Sequence, residues 1–368
     1  MILATAQLSA NEPTPDLVRN TTHRALEKAG LASAHGVLLF LTPEFSRLTQ
    51  AAVTAAAQAA QCTMVFGGLA AGVLTEEGWT LDRPAAAAMV FGGRASLQPP
   101  DEENPQPTLS YSGDWERPWD ELSSSEQTTR FGGVFSGEFS ENPVQPAVWQ
   151  CGRTLSPPRA GVQIGGARVE IGVSPGLLLL TPPVRIESAS SFTLEKLAHP
   201  PLGSQSAFKS LLRHFPIQVP LHQLMALVAK APDDFDAFPD GDYRILPLVS
   251  ANSDNSITLA GETLAGEYLC WARRDRWTVP KDVRRSVDQI AARMADPAGA
   301  LMFSCIGRGP FFYDRDDVDL CVLRERFPKI PIIGCYGTEQ IVPKISSRKG
   351  FRHTRNSVVM ALIAPSGT

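Results

Sequence analysis

The densest chemistry in the sequence lies between residues 301 and 356. Gly307-Arg308-Gly309-Pro310 is followed by Gly334-Cys335-Tyr336-Gly337-Thr338-Glu339-Gln340 and then by Arg352-His353-Thr354-Arg355-Asn356. Glycines on both sides of Arg308 let the backbone turn sharply and leave the side chain unobstructed. A guanidinium so placed grips a carboxylate with two parallel hydrogen bonds. Glu339, Gln340 or Asn356 would then take an amine or amide at the other end of the ligand. The competing reading is that Arg308 and Glu339 pair with each other and brace two loops, and both readings stay open. Cys305 ahead of the turn and His353 later in the chain are the residue types of a cysteine nucleophile and its base. A cysteine inside an apolar run is more often a small core residue, however. No nucleophile elbow or other local signature supports catalysis, and the arginines flanking His353 point to a solvated or ligand-facing loop. The candidate ligand-contacting set is Cys305, Arg308, Gly309, Tyr336, Glu339, Gln340, His353 and Asn356, with no catalytic residue, cofactor or metal ligand assigned.

These residues need elements to hold them. The apolar run 301–306 breaks at Gly307, an amphipathic segment follows, and a second apolar run, 330–333, breaks at Gly334. This is the pattern of strand, loop, helix, strand, loop, one parallel crossover unit. Loops leaving the carboxyl ends of neighbouring parallel strands lie side by side, where ligands bind. Arg308 and residues 336–340 are therefore expected to face one pocket.

Composition narrows the function classes. The 368 residues suffice for two domains, and 43% hydrophobic with 20% charged residues fits a globular chain. A net charge of −4 provides no basic field for phosphates, so neither nucleic acid nor an anionic membrane is an expected partner. The six cysteines show no CxxC spacing and the six histidines no HxxxH, which argues against a zinc site and a disulfide framework. The start MILATAQLSANEP does not read as a signal peptide, no apolar run reaches 18 residues, and a cytoplasmic location is expected.

Residues 16–30 read as a helix closed by Gly30, 36–41 as a buried strand, and Thr42-Pro43-Glu44 as the start of an alanine-rich helix. A strand at 62–66 runs into Gly67-Gly68-Leu69-Ala70-Ala71-Gly72. That cluster lacks the GxGxxG spacing of a nucleotide loop and reads as a tight turn, and 131–137 resembles it. A strand is expected within 84–95. Residues 97–129, rich in Pro, Glu, Ser, Gln and Asp, read as a long surface insertion, with Trp115 and Trp119 docking it on the body or gripping a partner. Strands at 168–173 and 177–180 precede a boundary at 199–203. Beyond it come a helix at 206–214, a hairpin of 243–249 with 257–259, a strand at 267–272, a helix from Pro280 and a final strand at 357–363.

The segments FSCIGRG, the glycine-led GCYGTEQIVP and the ending H-x-x-N-S-V-V resemble the C-terminal half of the FIST family of bacterial signal-transduction proteins, and VLLFLTPEF with VFGGLAAGV is similar to the N-terminal half. The resemblance implies an α/β (mixed α+β) protein of two subdomains, each a mixed sheet flanked by helices: a FIST N-like domain over 1–198, with the insertion near 97–129, and a FIST C-like domain over 199–368. It implies a cytoplasmic sensory module binding an amino acid or similar small polar metabolite, an organic acid included, with a signalling protein as partner. A protein-interaction scaffold is the alternative, and a Cys305-dependent hydrolase or transferase a further one. The family pattern ends in an acid before Ile-x-Pro. Aligning Ile341 and Pro343 with it puts Gln340 at the acid and Glu339 at a glycine, while Cys335 stands at an aromatic position. Either Glu339 supplies the carboxylate from a shifted place or the ligand differs.

Overall fold

The computed structural model describes the chain except residues 102–105, 114–128, 136–145, 200–201, 216–219, 237, 239–240, 315, 345–349 and 368. It divides into two compact units, Met1–Val173 with Val283–Thr368, and Ser174–Asp282. The class is mixed α/β, as expected.

The first unit is built on a repeated order of elements. Strand Ile2–Ser9, helix Pro15–Ala29, strand Gly36–Leu41, helix Thr49–Ala60 and strand Val65–Leu69 are completed by Ala85–Gly92, which inserts between the first two strands. Strand Ala167–Ser174, helix Val279–Arg293, strand Gly299–Cys305, helix Val318–Arg326 and strand Ile332–Gly337 are completed in the same way by Val358–Pro365. In each half the second and third strands are parallel, with Val37 opposite Val65 and Ala300 opposite Ile332. Such strands are covered on both faces, so they read as unbroken apolar runs rather than alternating ones. Leu38 and Phe40 share an inner core with Leu301, Phe303, Ile333 and Cys335. Val37, Leu39 and Leu41 pack outward on Leu17, Val18, Leu26, Val53 and Ala56 of the two N-terminal helices.

Counting from these registers, Phe40 corresponds to Phe303, and the two rings meet edge to face at 5.7 Å. Gly67 corresponds to Gly334. A β-carbon on either would lie 1.7 or 1.8 Å from a carbonyl oxygen of the neighbouring strand, Leu39 or Met302. Only glycine fits there. The first helix is capped by the Thr14 hydroxyl, which accepts from Leu17 N–H at 3.2 Å, and closed by left-handed Gly30.

The glycine clusters differ from expectation. Gly67 and Gly68 lie within a strand and Gly72 opens another, Gly72–Thr75, while Arg130–Val134 is also a strand. Backbone proximity replaces the turn: β-carbons on Gly68, Gly133 and Gly337 would all fall on the Phe135 ring, at 2.8, 2.9 and 3.3 Å. The strand expected at 62–66 begins at Val65, leaving Cys62 to Met64 as its approach. The supposed insertion contains two sheet strands, Ser96–Gln98 and the wholly buried Thr108–Ser112. Trp115 and Trp119 lie outside the described residues. A third sheet, with Phe351–Thr354, Glu339–Pro343, Arg130–Val134, Thr108–Ser112 and Arg159–Gly165 as neighbours, adds Leu109, Tyr111, Phe131 and Val162 to the inner core.

In the second unit six strands close a ring, in the order Val184–Ser190, Thr193–His199, Ile257–Leu259, Tyr243–Ala251, Leu224–Ala229 and Tyr268–Arg274, every neighbouring pair antiparallel. Helix Ala207–His214 packs Ala207 and Leu211 into the same apolar cluster as Trp271. Ser210 Oγ accepts from Trp271 Nε1 at 3.1 Å and lies 2.6 Å from His199 Nε2. The boundary expected at His199 falls at the end of a strand that pairs with Gly203–Ser206 inside this unit.

Candidate functional site

All eight candidate residues lie in the first unit, at the carboxyl ends of Gly299–Cys305 and Ile332–Gly337, on the adjoining strands Glu339–Pro343 and Phe351–Thr354, and, for Asn356, just beyond the latter. Cys305 sits opposite Gly337, so the two loops are neighbours, as the crossover pattern requires. The side chains form three groups at different depths.

The deepest group is ionic. Arg308 is 1% exposed and Asp319 fully buried; Nε meets Oδ2 at 2.8 Å and Nη2 meets Oδ1 at 3.0 Å, a two-pronged pair. Nη1 donates to the Asn356 carbonyl at 3.4 Å. Arg308 therefore pairs with Asp319 and not with Glu339, and its fork faces the interior. Beside it the Tyr336 hydroxyl donates to Asp317 Oδ2, while Asp317 Oδ1 accepts Leu320 N–H at 2.8 Å and caps helix Val318–Arg326. Burial, with the neighbouring negative charge of Asp319, pushes the Asp317 carboxyl up to about 6, against the pull of Tyr336, Leu320 N–H and Arg308. Burial likewise pushes the Tyr336 and Tyr313 phenols up. Gly309 lets Tyr336 approach: a β-carbon there would stand 3.4 Å from the ring and 3.2 Å from the Ile306 carbonyl.

The second group reaches the surface. Glu339, with 13% of its side chain exposed, accepts from Arg355 Nε at 2.6 Å, and its other oxygen lies 3.3 Å from His353 Nδ1. Arg355 and His353 are 32% and 26% exposed. Burial pushes the Glu339 carboxyl up, but the His353 hydrogen bond and the Arg355 charge outweigh it and hold the group below its usual value.

The third group is buried and polar. Gln340 is fully buried on the inner face; its Oε1 accepts from Ser357 Oγ at 3.3 Å, and its Nε2 has no partner among the described residues. Turning the amide over only transfers the vacancy to the oxygen. Asn356 takes the left-handed conformation that asparagine tolerates, at φ 54°. Cys305 Sγ donates to the Thr338 carbonyl at 3.6 Å. Cys305 and His353 thus have separate partners, and no hydrogen bond between them appears among the described residues.

The registers also expose an asymmetry between the two halves. Four residues beyond matched strand positions, Phe45 stands where Arg308 does, and Leu69 corresponds to Tyr336. Phe45 and Leu69 belong to an apolar cluster. Asp317, Asp319, Arg355 and Ser357 were not singled out from sequence, although the acidic residues at 316, 317 and 319 before an apolar run are a helix-start signal.

Residues 195–342 match the FIST C domain. An uncharacterized protein of Mycobacterium tuberculosis is 26% identical over 220 residues, 59% of this chain and 56% of its own length. An uncharacterized protein of Mycobacterium bovis is 33% identical over 105 residues, 28% of this chain and 27% of its own. The aligned region thus spans about half the length of the first relative and about a quarter of the second. Among the described residues no helix is long and apolar enough to cross a membrane. The match from 195 to 342 is to a domain associated with signal-transduction sensory proteins.

Proposed function

We propose that the chain is a sensory module that binds a small zwitterionic or anionic metabolite, an amino acid or organic acid, at the face formed by Glu339, Arg355 and His353. The observation that carries this reading is the asymmetry of the two halves. Phe45 and Leu69 are apolar at the positions that Arg308 and Tyr336 fill in the second half, where charged and polar groups surround them. A fold that needed only packing would place hydrophobes in both, because a buried ion pair rarely adds stability over them.

In this reading the half-exposed Glu339–Arg355 pair opens to take the amine and carboxylate of the ligand, each charge exchanging an internal partner for an external one. Arg308, paired with Asp319, positions the Asn356 carbonyl and the loop from below instead of gripping the ligand. Gln340 supplies the unmatched hydrogen-bonding atom at depth. The bound form is then read by a signalling partner.

The test is a thermal-shift screen of amino acids and small organic acids on wild type, Glu339→Gln and Arg355→Gln. A ligand at a hundred times its dissociation constant adds about 2.7 kcal/mol, a rise of several degrees at roughly 2–4 °C per kcal/mol. A hit that disappears in both variants is the expected result. Hits that survive in both, or no hit on folded wild type, sink the assignment.

A further inference from the structure

Away from this face, two cysteines and a methionine are carried by neighbouring chain segments. Cys62 and Met64 lie on the approach to strand Val65–Leu69. Cys151 occupies the turn between Val148–Gln150 and Arg153–Thr154, the hairpin whose first strand pairs with that same strand. The Cys151 thiol points at Met64 Sδ, 3.9 Å away, and Cys62 Sγ accepts from Met64 N–H at 3.3 Å. All three residues are half-buried, and both cysteines are free.

Hydrogen bonds tie together the segments that carry the three sulfurs. Gln50, from helix Thr49–Ala60, donates to the Gly152 carbonyl and accepts from Thr154 N–H, both at 3.0 Å. Gly152 N–H reaches the Val65 carbonyl, and Cys62 N–H the Ala57 carbonyl. Cys151 has φ 50°, a left-handed position in a two-residue hairpin turn that asparagine or glycine fills more cheaply.

We propose that Cys62, Met64 and Cys151 form a binding site for a soft monovalent cation, copper(I). Two thiolates and a thioether are the donor set that selects such an ion, and they offer neither the oxygen donors of a hard cation nor the four ligands of structural zinc. A metal about 2.3 Å from each sulfur in a trigonal plane needs sulfurs about 4 Å apart, close to the Cys151–Met64 separation already present. Binding converts the two thiols and one thioether into a complex of net charge −1 and releases two protons. No electron is transferred, and affinity rises with pH as the thiols give up their protons more readily.

The test is an anaerobic titration of the reduced full chain with copper(I) against a chromogenic copper(I) chelator, repeated with silver(I). Wild type is expected to hold one equivalent against the chelator with release of two protons. Cys62→Ser and Cys151→Ser should each abolish this, Met64→Leu should weaken it about tenfold, and Cys321→Ser, at an exposed cysteine, should leave it unchanged. Circular dichroism melts check that each variant folds. Retention of the equivalent by the Cys62→Ser, Cys151→Ser double variant, its loss in Cys321→Ser, or wild-type binding no tighter than that of the double variant overturns the proposal.

Discussion

At the scale of single residues, Asp317 and Glu339 make opposite demands on pH. Asp317 is pushed up to about 6 by burial and by Asp319, against about 3.9 in an unfolded chain. Its contribution to stability is therefore full below about pH 3.9 and is lost as pH rises through about 6. Glu339 lies below its usual value, so its contribution is present above about pH 4.3 and is lost as pH falls through the depressed value. Asp317→Asn keeps the helix cap and an acceptor for Tyr336 but removes the titration. Urea midpoints measured between pH 4 and 7 should move in favour of the variant as pH rises; a gap that stays constant contradicts the assignment. The Arg308–Asp319 pair allows a second prediction. Asp319→Ala strands a buried guanidinium and should cost about 3–5 kcal/mol, whereas Arg308→Met with Asp319→Leu should cost distinctly less, as Phe45 in the other half suggests. Equal losses in urea denaturation would mean that the pair holds the loop in a way hydrophobes cannot.

At the scale of elements, Phe135 is the clearest test of packing. Three strands give up side chains at Gly68, Gly133 and Gly337 to admit its ring. Gly68→Ala should destabilise by about 1–3 kcal/mol through overpacking, and Phe135→Leu in the same chain should recover part of that in a thermal melt. Additive losses would show that the ring is not what Gly68 makes room for. These glycines also mark the limit of the sequence reading. Local pattern sufficed where one element carries its own signal: the capped helix ending at Gly30, the apolar run of Gly36–Leu41, and the crossover that places Cys305 beside Gly337. It misread Gly67-Gly68 and Gly132-Gly133 as turns because their reason is a neighbouring strand or a ring far away in sequence. Arg308 was legible as a residue seeking a carboxylate. That the carboxylate is Asp319, eleven residues on and across a turn, depends on how the helix start folds back, which spacing alone does not encode.

At the scale of the whole molecule, the second unit is a continuous stretch whose six strands close on themselves, so no strand of the ring waits for residues outside 174–282. That segment expressed alone should give a cooperative thermal transition and dispersed amide resonances; a collapsed or unfolded fragment would show that it borrows stability from the rest. The sequence offered a boundary at 199 because prolines cluster there, whereas the compact unit begins at Ser174, where a strand ends just before the short Pro175-Gly176 turn. The placement has a temporal consequence. In the first half of the repeat, five residues link the opening strand to its helix; in the second, the chain makes the whole ring before helix Val279–Arg293 begins. Strand Gly72–Thr75 pairs with Ile332–Gly337, more than 250 residues later. A ribosome-bound chain can therefore pair that strand only with Gly78–Thr80 until residues 332–337 have been made, and contacts so far apart in sequence form more slowly than local ones.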